Sequence, residues 1–144
     1  MFNKLTISAL AICFSMPALA QDASGDAAAG EKEFNKCKAC HSVVSDAGEE
    51  IVKGGKVGPN LYGLAGRKAG SVDGFGYSDS IVAAGEAGLN WDEEHFVVYV
   101  QDATKFLREY LDDPKAKGKM VFKLRGEEEA ANVWAYLASV GPQS

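Results

Sequence analysis

Cys37-Lys38-Ala39-Cys40-His41 places two thiols three residues apart and an imidazole directly after the second. This C-x-x-C-H order is the attachment signature of c-type haem. Thiols about one helical turn apart can reach the two vinyl groups on one edge of a porphyrin, and the adjacent histidine then falls beneath the iron. Three other readings use the same residues. A disulfide between Cys37 and Cys40 suits an oxidising compartment. A thioredoxin-like redox pair wants a βαβ pattern, which the sequence lacks. A zinc site would have to recruit Cys37, Cys40, His41 and His95, and the neighbouring Cys40 and His41 fit one tetrahedron poorly.

The surroundings of the motif predict an all-α domain of about four to five helices with long loops. Asp26 can cap a first helix running through Ala27-Ala28-Ala29 to about Lys36 or Ala39. Gly30 inside it is a weak helix residue and marks a place where another element crosses closely. From Asp46 to Gly76 the chain is rich in glycine and keeps neither a helical nor an alternating period. So long a loop is uncommon in a compact domain unless it packs on something other than protein, as it would on a large apolar cofactor. Ser78 can cap a short helix ending near Gly85. Asp92, Glu93 and Glu94 suit the start of a helix carrying Phe96, Val97, Tyr99 and Val100. A further short helix is expected from about Thr104 to Leu111. The last follows Glu127-Glu128-Glu129, shows Val133, Tyr136, Leu137 and Val140 at helical spacing, and stops at Gly141-Pro142.

The chain has 144 residues, enough for one domain, with 47% hydrophobic and 24% charged residues, the balance of an ordinary globule. Its formal net charge of -5 speaks against a nucleic-acid binder. Residues 1–20 read as a secretory signal: Lys4 gives the positive start, Leu5 to Phe14 is mostly apolar, and Pro17 precedes the small-x-small site Ala18-Leu19-Ala20. Cleavage is expected after Ala20, leaving 21–144 as the mature domain in the periplasm. A retained membrane anchor is the rival reading, with a short apolar run against it.

Removal of the leader takes Cys13, Met1 and Met16 with it. Met120 is then the one methionine left, and His41 and His95 are the only histidines. A haem iron held by His and Met is the arrangement of cytochromes c, in which the thioether raises the reduction potential. By elimination His41 and Met120 are the expected axial ligands. Lys117-Gly118-Lys119-Met120 also lies in a non-periodic stretch, where a methionine is not simple core filler. His95 is the rival, placed in an amphipathic helix among acids.

These residues resemble the class I cytochromes c, and among them most closely the bacterial periplasmic cytochromes c2. The resemblance runs from about Gly25 to Val140. It rests on Gly30 with Phe34, Gly58-Pro59-Asn60-Leu61-Tyr62-Gly63, Gly66-Arg67, Gly74-Phe75-Gly76-Tyr77, Trp91, Tyr99, Gly118-Lys119-Met120 and Ala135-Tyr136-Leu137. It implies one covalent haem c on Cys37 and Cys40. It also implies that the Pro59 carbonyl accepts from the second ring N–H of His41, that Arg67, Tyr77 and Trp91 surround a buried haem propionate, and that Tyr99 lies beside the methionine sulfur. Gly30 and Phe34 resemble the residues where the first helix crosses the last, around Tyr136. The chain departs from the pattern at Ala103, where many members have proline. The stretches from Tyr77 to Trp91 and from Phe106 to Lys117 are longer than in short mitochondrial cytochromes c.

Two filled axial positions leave no open site for a substrate, so an electron carrier is expected rather than a haem enzyme. A gas sensor would want a second, output domain. Pro114 to Arg125 holds Lys115, Lys117, Lys119, Lys123 and Arg125 with no acid. On an acidic body this predicts a positive docking face, including Lys36, Lys105, Lys117 and Lys119, that steers encounter with negatively charged partners. By resemblance the donor would be a cytochrome bc1 complex and the acceptor a photosynthetic reaction centre or a terminal oxidase, met by a monomeric carrier.

Overall fold

The computed structural model describes residues 23–143. The proposed leader and its cleavage site lie outside these residues. Among the described residues five helices follow one another: α1 (Ala27–Glu33), α2 (Asp79–Glu86), α3 (Glu93–Gln101), α4 (Ala103–Tyr110) and α5 (Glu127–Val140). One small antiparallel hairpin, β1 (Val43–Val44) with β2 (Glu50–Val52), sits between α1 and α2. No helix among the described residues is long and apolar enough to cross a membrane.

Side-chain caps explain most of the helix starts. The Asp26 side chain accepts from Ala29 N–H, Ser78 from Ile81, Asp92 from His95 and Asp102 from Lys105. Each serves one of the orphan donors of a first turn. Helix α5 has Gly126 at its start and no side-chain cap, but opens on three glutamates that complement the helix dipole. The first helix is shorter than its composition suggests. It ends at Glu33, tightens into a 3-10 turn over Phe34–Lys36, and leaves Cys37 to Cys40 in a turn. That tightening starts the chain into the attachment motif.

Helices α1 and α5 make the most extensive contact, and α3 packs on both α5 and α4. Phe34, Leu107 and Val133 are fully buried within the core these helices share. Phe34 meets Tyr136 at 5.7 Å between ring centroids across the α1–α5 crossing. Gly30 is the contact point: a Cβ there would lie 1.9 Å from the Asn132 carbonyl oxygen. Asn132 is buried at the same crossing, and its Oδ1 accepts from Asp26 N–H at 2.8 Å.

The crossing gives a direct prediction. Gly30→Ala adds up to about 1 kcal/mol of helix propensity. Its methyl group nevertheless meets backbone, which cannot swing aside as a side chain would. We expect a net loss of about 1–3 kcal/mol from overpacking, read as a lower urea midpoint for the holoprotein.

Candidate functional site

The attachment turn is built from backbone first. Cys40 N–H and His41 N–H both donate to the Cys37 carbonyl, at 3.1 and 2.9 Å. This winds the motif so that both thiols belong to one turn. Cys37 and Cys40 are free thiols, each half-buried. Burial pushes the Cys37 thiol up to about 11, against the opposing pull of nearby Lys36. Among the described residues no three His, Cys, Asp or Glu side chains converge as metal ligands.

His41 is oriented from two sides. Its Nδ1 lies 2.8 Å from the Pro59 carbonyl oxygen. A carbonyl can only accept, so Nδ1 carries the proton and Nε2 keeps its lone pair. Gly58 presses flat against the same ring; a Cβ there would be 2.2 Å from Cε1. Burial lowers the His41 pKa, with the Pro59 contact opposing and the Arg67 charge assisting the fall. The ring is therefore held in the neutral form that ligates metals.

Asn60 holds this loop in place, a role the sequence reading did not assign although the residue stands within a quoted motif. Its Oδ1 accepts from Val44 N–H at 2.9 Å and Tyr62 N–H at 3.1 Å, and its Nδ2 donates to the Val44 carbonyl at 2.7 Å. One amide thus extends β1 sideways and fixes the residue that follows Pro59. Local sequence carried no separate signal for it, because the partner strand is only two residues long.

The remaining predicted residues have partners of their own. Arg67 Nη1 donates to the Tyr62 carbonyl at 2.9 Å. Burial lowers its pKa, and neighbouring Tyr77 opposes that fall. Tyr77 accepts from Val72 N–H through its hydroxyl and packs on Phe75. Tyr99 is pushed up to about 12 by burial, with Tyr77 adding to the effect. Trp91 is buried and stands edge-on to Tyr99 at 4.9 Å. Met120 is half-buried against the core, and the residue before it is fastened beside Tyr77, since Lys119 Nζ donates to the Gly76 carbonyl at 2.7 Å.

His95 is occupied elsewhere. Its backbone N–H and Nδ1 both lie 2.8 Å from Asp92 Oδ1, and its ring packs on Phe106 and Tyr110. The lysines of the expected docking face differ among themselves. Lys36 Nζ is 3.1 Å from both carboxylate oxygens of Glu129, and Lys105 is 3.8 Å from Glu109. The long-range Lys36–Glu129 pair had no signal in local sequence. Outside the named set, Lys123 pairs with Asp102 at 2.6 Å.

A c-type haem fits these residues. Two unbonded thiols share one turn, the adjacent imidazole presents a free Nε2, and the glycine at 58 brings backbone flat against that imidazole. No protein-family model matches the chain. Individual relatives are clear. Cytochrome c-551 of Roseobacter denitrificans is 64% identical over 122 residues, which is 85% of this chain and 86% of that protein. Cytochrome c2 of Cereibacter sphaeroides is 53% identical over 141 residues, 96% of each chain. The crystal structure of cytochrome c2 from Rhodobacter sphaeroides superposes with a TM-score of 0.81 at 55% identity, covering 83% of this chain and 99% of that one. The helix order, the motif and these relatives together place the chain in the cytochrome c2 family of class I c-type cytochromes, electron-transport proteins with one covalently bound haem c.

Proposed function

We propose that the protein is a monomeric periplasmic carrier whose single haem, joined to Cys37 and Cys40 and ligated by His41 and Met120, moves one electron at a time between membrane complexes. The observation that carries this reading is the 2.8 Å contact between His41 Nδ1 and the Pro59 carbonyl, which leaves Nε2 as the ligating atom. When bound, haem c supplies an iron that takes up and gives back one electron. The protein's own residues set the conditions for it. His41 is held in one tautomer and one orientation. Met120 offers a thioether, which favours the reduced state. Arg67, Tyr77 and Trp91 supply donors for a carboxylate that is costly to bury unpaired. Tyr99, which stands against Trp91, would lie beside the methionine sulfur. With His41 and Met120 both holding the iron, there would be no substrate-transforming site.

The partners in this reading are a cytochrome bc1 complex as donor and a photosynthetic reaction centre or terminal oxidase as acceptor. Residues 1–20 serve as the export signal, cut after Ala20, and residues 21–144 as the cytochrome domain. Docking uses a positive face that includes Lys36, Lys105, Lys117 and Lys119. The acid-free run around Met120 on an acidic chain supports it. Val57 and Val121 are largely exposed, at 78% and 87%, and stand next to the His41-contacting Gly58 and to Met120.

Salt tests the docking face. Attraction between exposed charges weakens over a Debye length of roughly 8 Å at physiological ionic strength. Electron transfer to a membrane acceptor should slow by about tenfold or more as salt rises from low values. Lys117→Glu should slow it further at low salt and flatten the dependence, with the haem spectrum unchanged. Lys117 is the better probe than Lys36, whose reversal would also release Glu129. Lys68→Glu, outside the face, should do much less. A flash-induced rate series that ignores salt, or responds equally to Lys68 and Lys117, removes the docking face from this account.

A further inference from the structure

The segment that carries Met120 has no regular structure between the end of α4 at Tyr110 and the start of α5 at Glu127. A thioether ligand nevertheless has to be held in one place. Three successive residues ahead of it are each fastened to a different part of the fold. Lys117 N–H donates to Ser80 Oγ at 3.0 Å. Gly118 N–H donates to Thr104 Oγ1 at 3.1 Å. Lys119 Nζ donates to the Gly76 carbonyl at 2.7 Å. The backbone at Gly118 also lies on α4, where a Cβ would be 3.2 Å from Ala103 Cβ and 3.5 Å from Leu107 Cδ1.

Ser80 and Thr104 occupy equivalent places. Each is the second residue of an eight-residue helix, α2 and α4. A hydroxyl near a helix start is ordinarily drawn into capping that helix. Here the capping is done two residues earlier, by Ser78 for α2 and Asp102 for α4. Both hydroxyls are thereby left to accept from the backbone of the methionine segment. Two loop N–H groups that could turn to solvent are instead fixed, one each, to two rigid elements.

We infer that Ser80 and Thr104 are positioning residues: their hydroxyls clamp the backbone at 117–118 and keep the Met120 thioether on the iron. This rests on the reading of Met120 as an axial ligand. It gives the lengthened stretches of the sequence a purpose, since α2 lies within one of them and supplies half of the clamp.

The test uses the ferric holoprotein and imidazole as the competing ligand. At saturating imidazole, entry is limited by opening of the methionine segment. Losing one hydrogen bond of ordinary strength should speed entry roughly three- to tenfold in Ser80→Ala and in Thr104→Val, and by about the product in the double variant. Thr104→Ser restores the oxygen and should return the rate to near wild type. Ser71→Ala removes a hydroxyl contact to the Lys68 carbonyl, outside the clamp, and should leave the rate unchanged. Amide exchange at Lys117 and Gly118 should accelerate in the same variants, independently of what ligates the iron. Rates in Ser80→Ala and Thr104→Val equal to wild type, or matched by Ser71→Ala, would overturn the clamp. A wild-type protein without the far-red sulfur-to-iron band would remove the ligand reading and the inference with it. Unchanged exchange at Lys117 and Gly118 alongside an intact band would remove the clamp alone.

Discussion

Replacing Cys37 and Cys40 together with serine is expected to abolish retention of haem by the denatured polypeptide. In the wild type, acid–acetone extraction should leave the pigment with the protein, because two thioether bonds survive loss of the fold. In the double variant the pigment should pass wholly into the organic phase or never accumulate. Single substitutions should retain one bond and so still hold pigment through extraction, at reduced yield. The physical basis is the shared turn: Cys40 and His41 both bond back to the Cys37 carbonyl, so the two sulfurs and the imidazole are positioned together. Stability should fall with the cofactor. A group that binds the native state and not the unfolded one stabilises by mass action, and a covalent one cannot be diluted away. Extraction of all pigment from the wild type would contradict the attachment.

Much of this fold was legible because its signals are local. Asp26, Ser78 and Asp92 each precede a helical pattern, and each caps the helix expected of it. Gly30 in an otherwise favourable helix pointed to a close crossing, and the Asn132 backbone is what crosses there. The end of α5 at Gly141-Pro142 followed from residues that cannot continue a helix. The features that sequence did not disclose depend on pairing at a distance. Val43-Val44 and Glu50-Ile51-Val52 are too short to display a strand period, so the hairpin was hidden inside a glycine-rich loop. Asn60 reads as a turn residue until its three bonds to Val44 and Tyr62 are seen. Asp102 begins α4 one residue earlier than the pattern suggested, with its carboxylate shared between Lys105 N–H and Lys123. Ser80 and Thr104 look like helix-surface hydroxyls until the methionine segment is laid across them.

Met120→Ala should have the second large effect. Iron with His and Met ligands is shifted toward the ferrous state by the thioether. Removing the sulfur should lower the midpoint potential by a sizeable part of the roughly 0.8 V over which axial ligands tune haem iron. It should also open the sixth position, so that cyanide binds the ferric protein at once instead of waiting for the segment to open. The fold should survive, because Met120 lies at the edge of the core and is only half-buried. His95→Ala should leave potential and cyanide access unchanged, since His95 is engaged with Asp92. It should cost only the local stability of the α3–α4 contact, where the ring packs on Phe106 and Tyr110.

The far-red absorption of the ferric protein tests the central claim most directly. A weak sulfur-to-iron band should be present in the wild type and in His95→Ala, and absent from Met120→Ala. A band that is missing from the wild type, or that disappears with His95 and survives the loss of Met120, would contradict ligation by His41 and Met120.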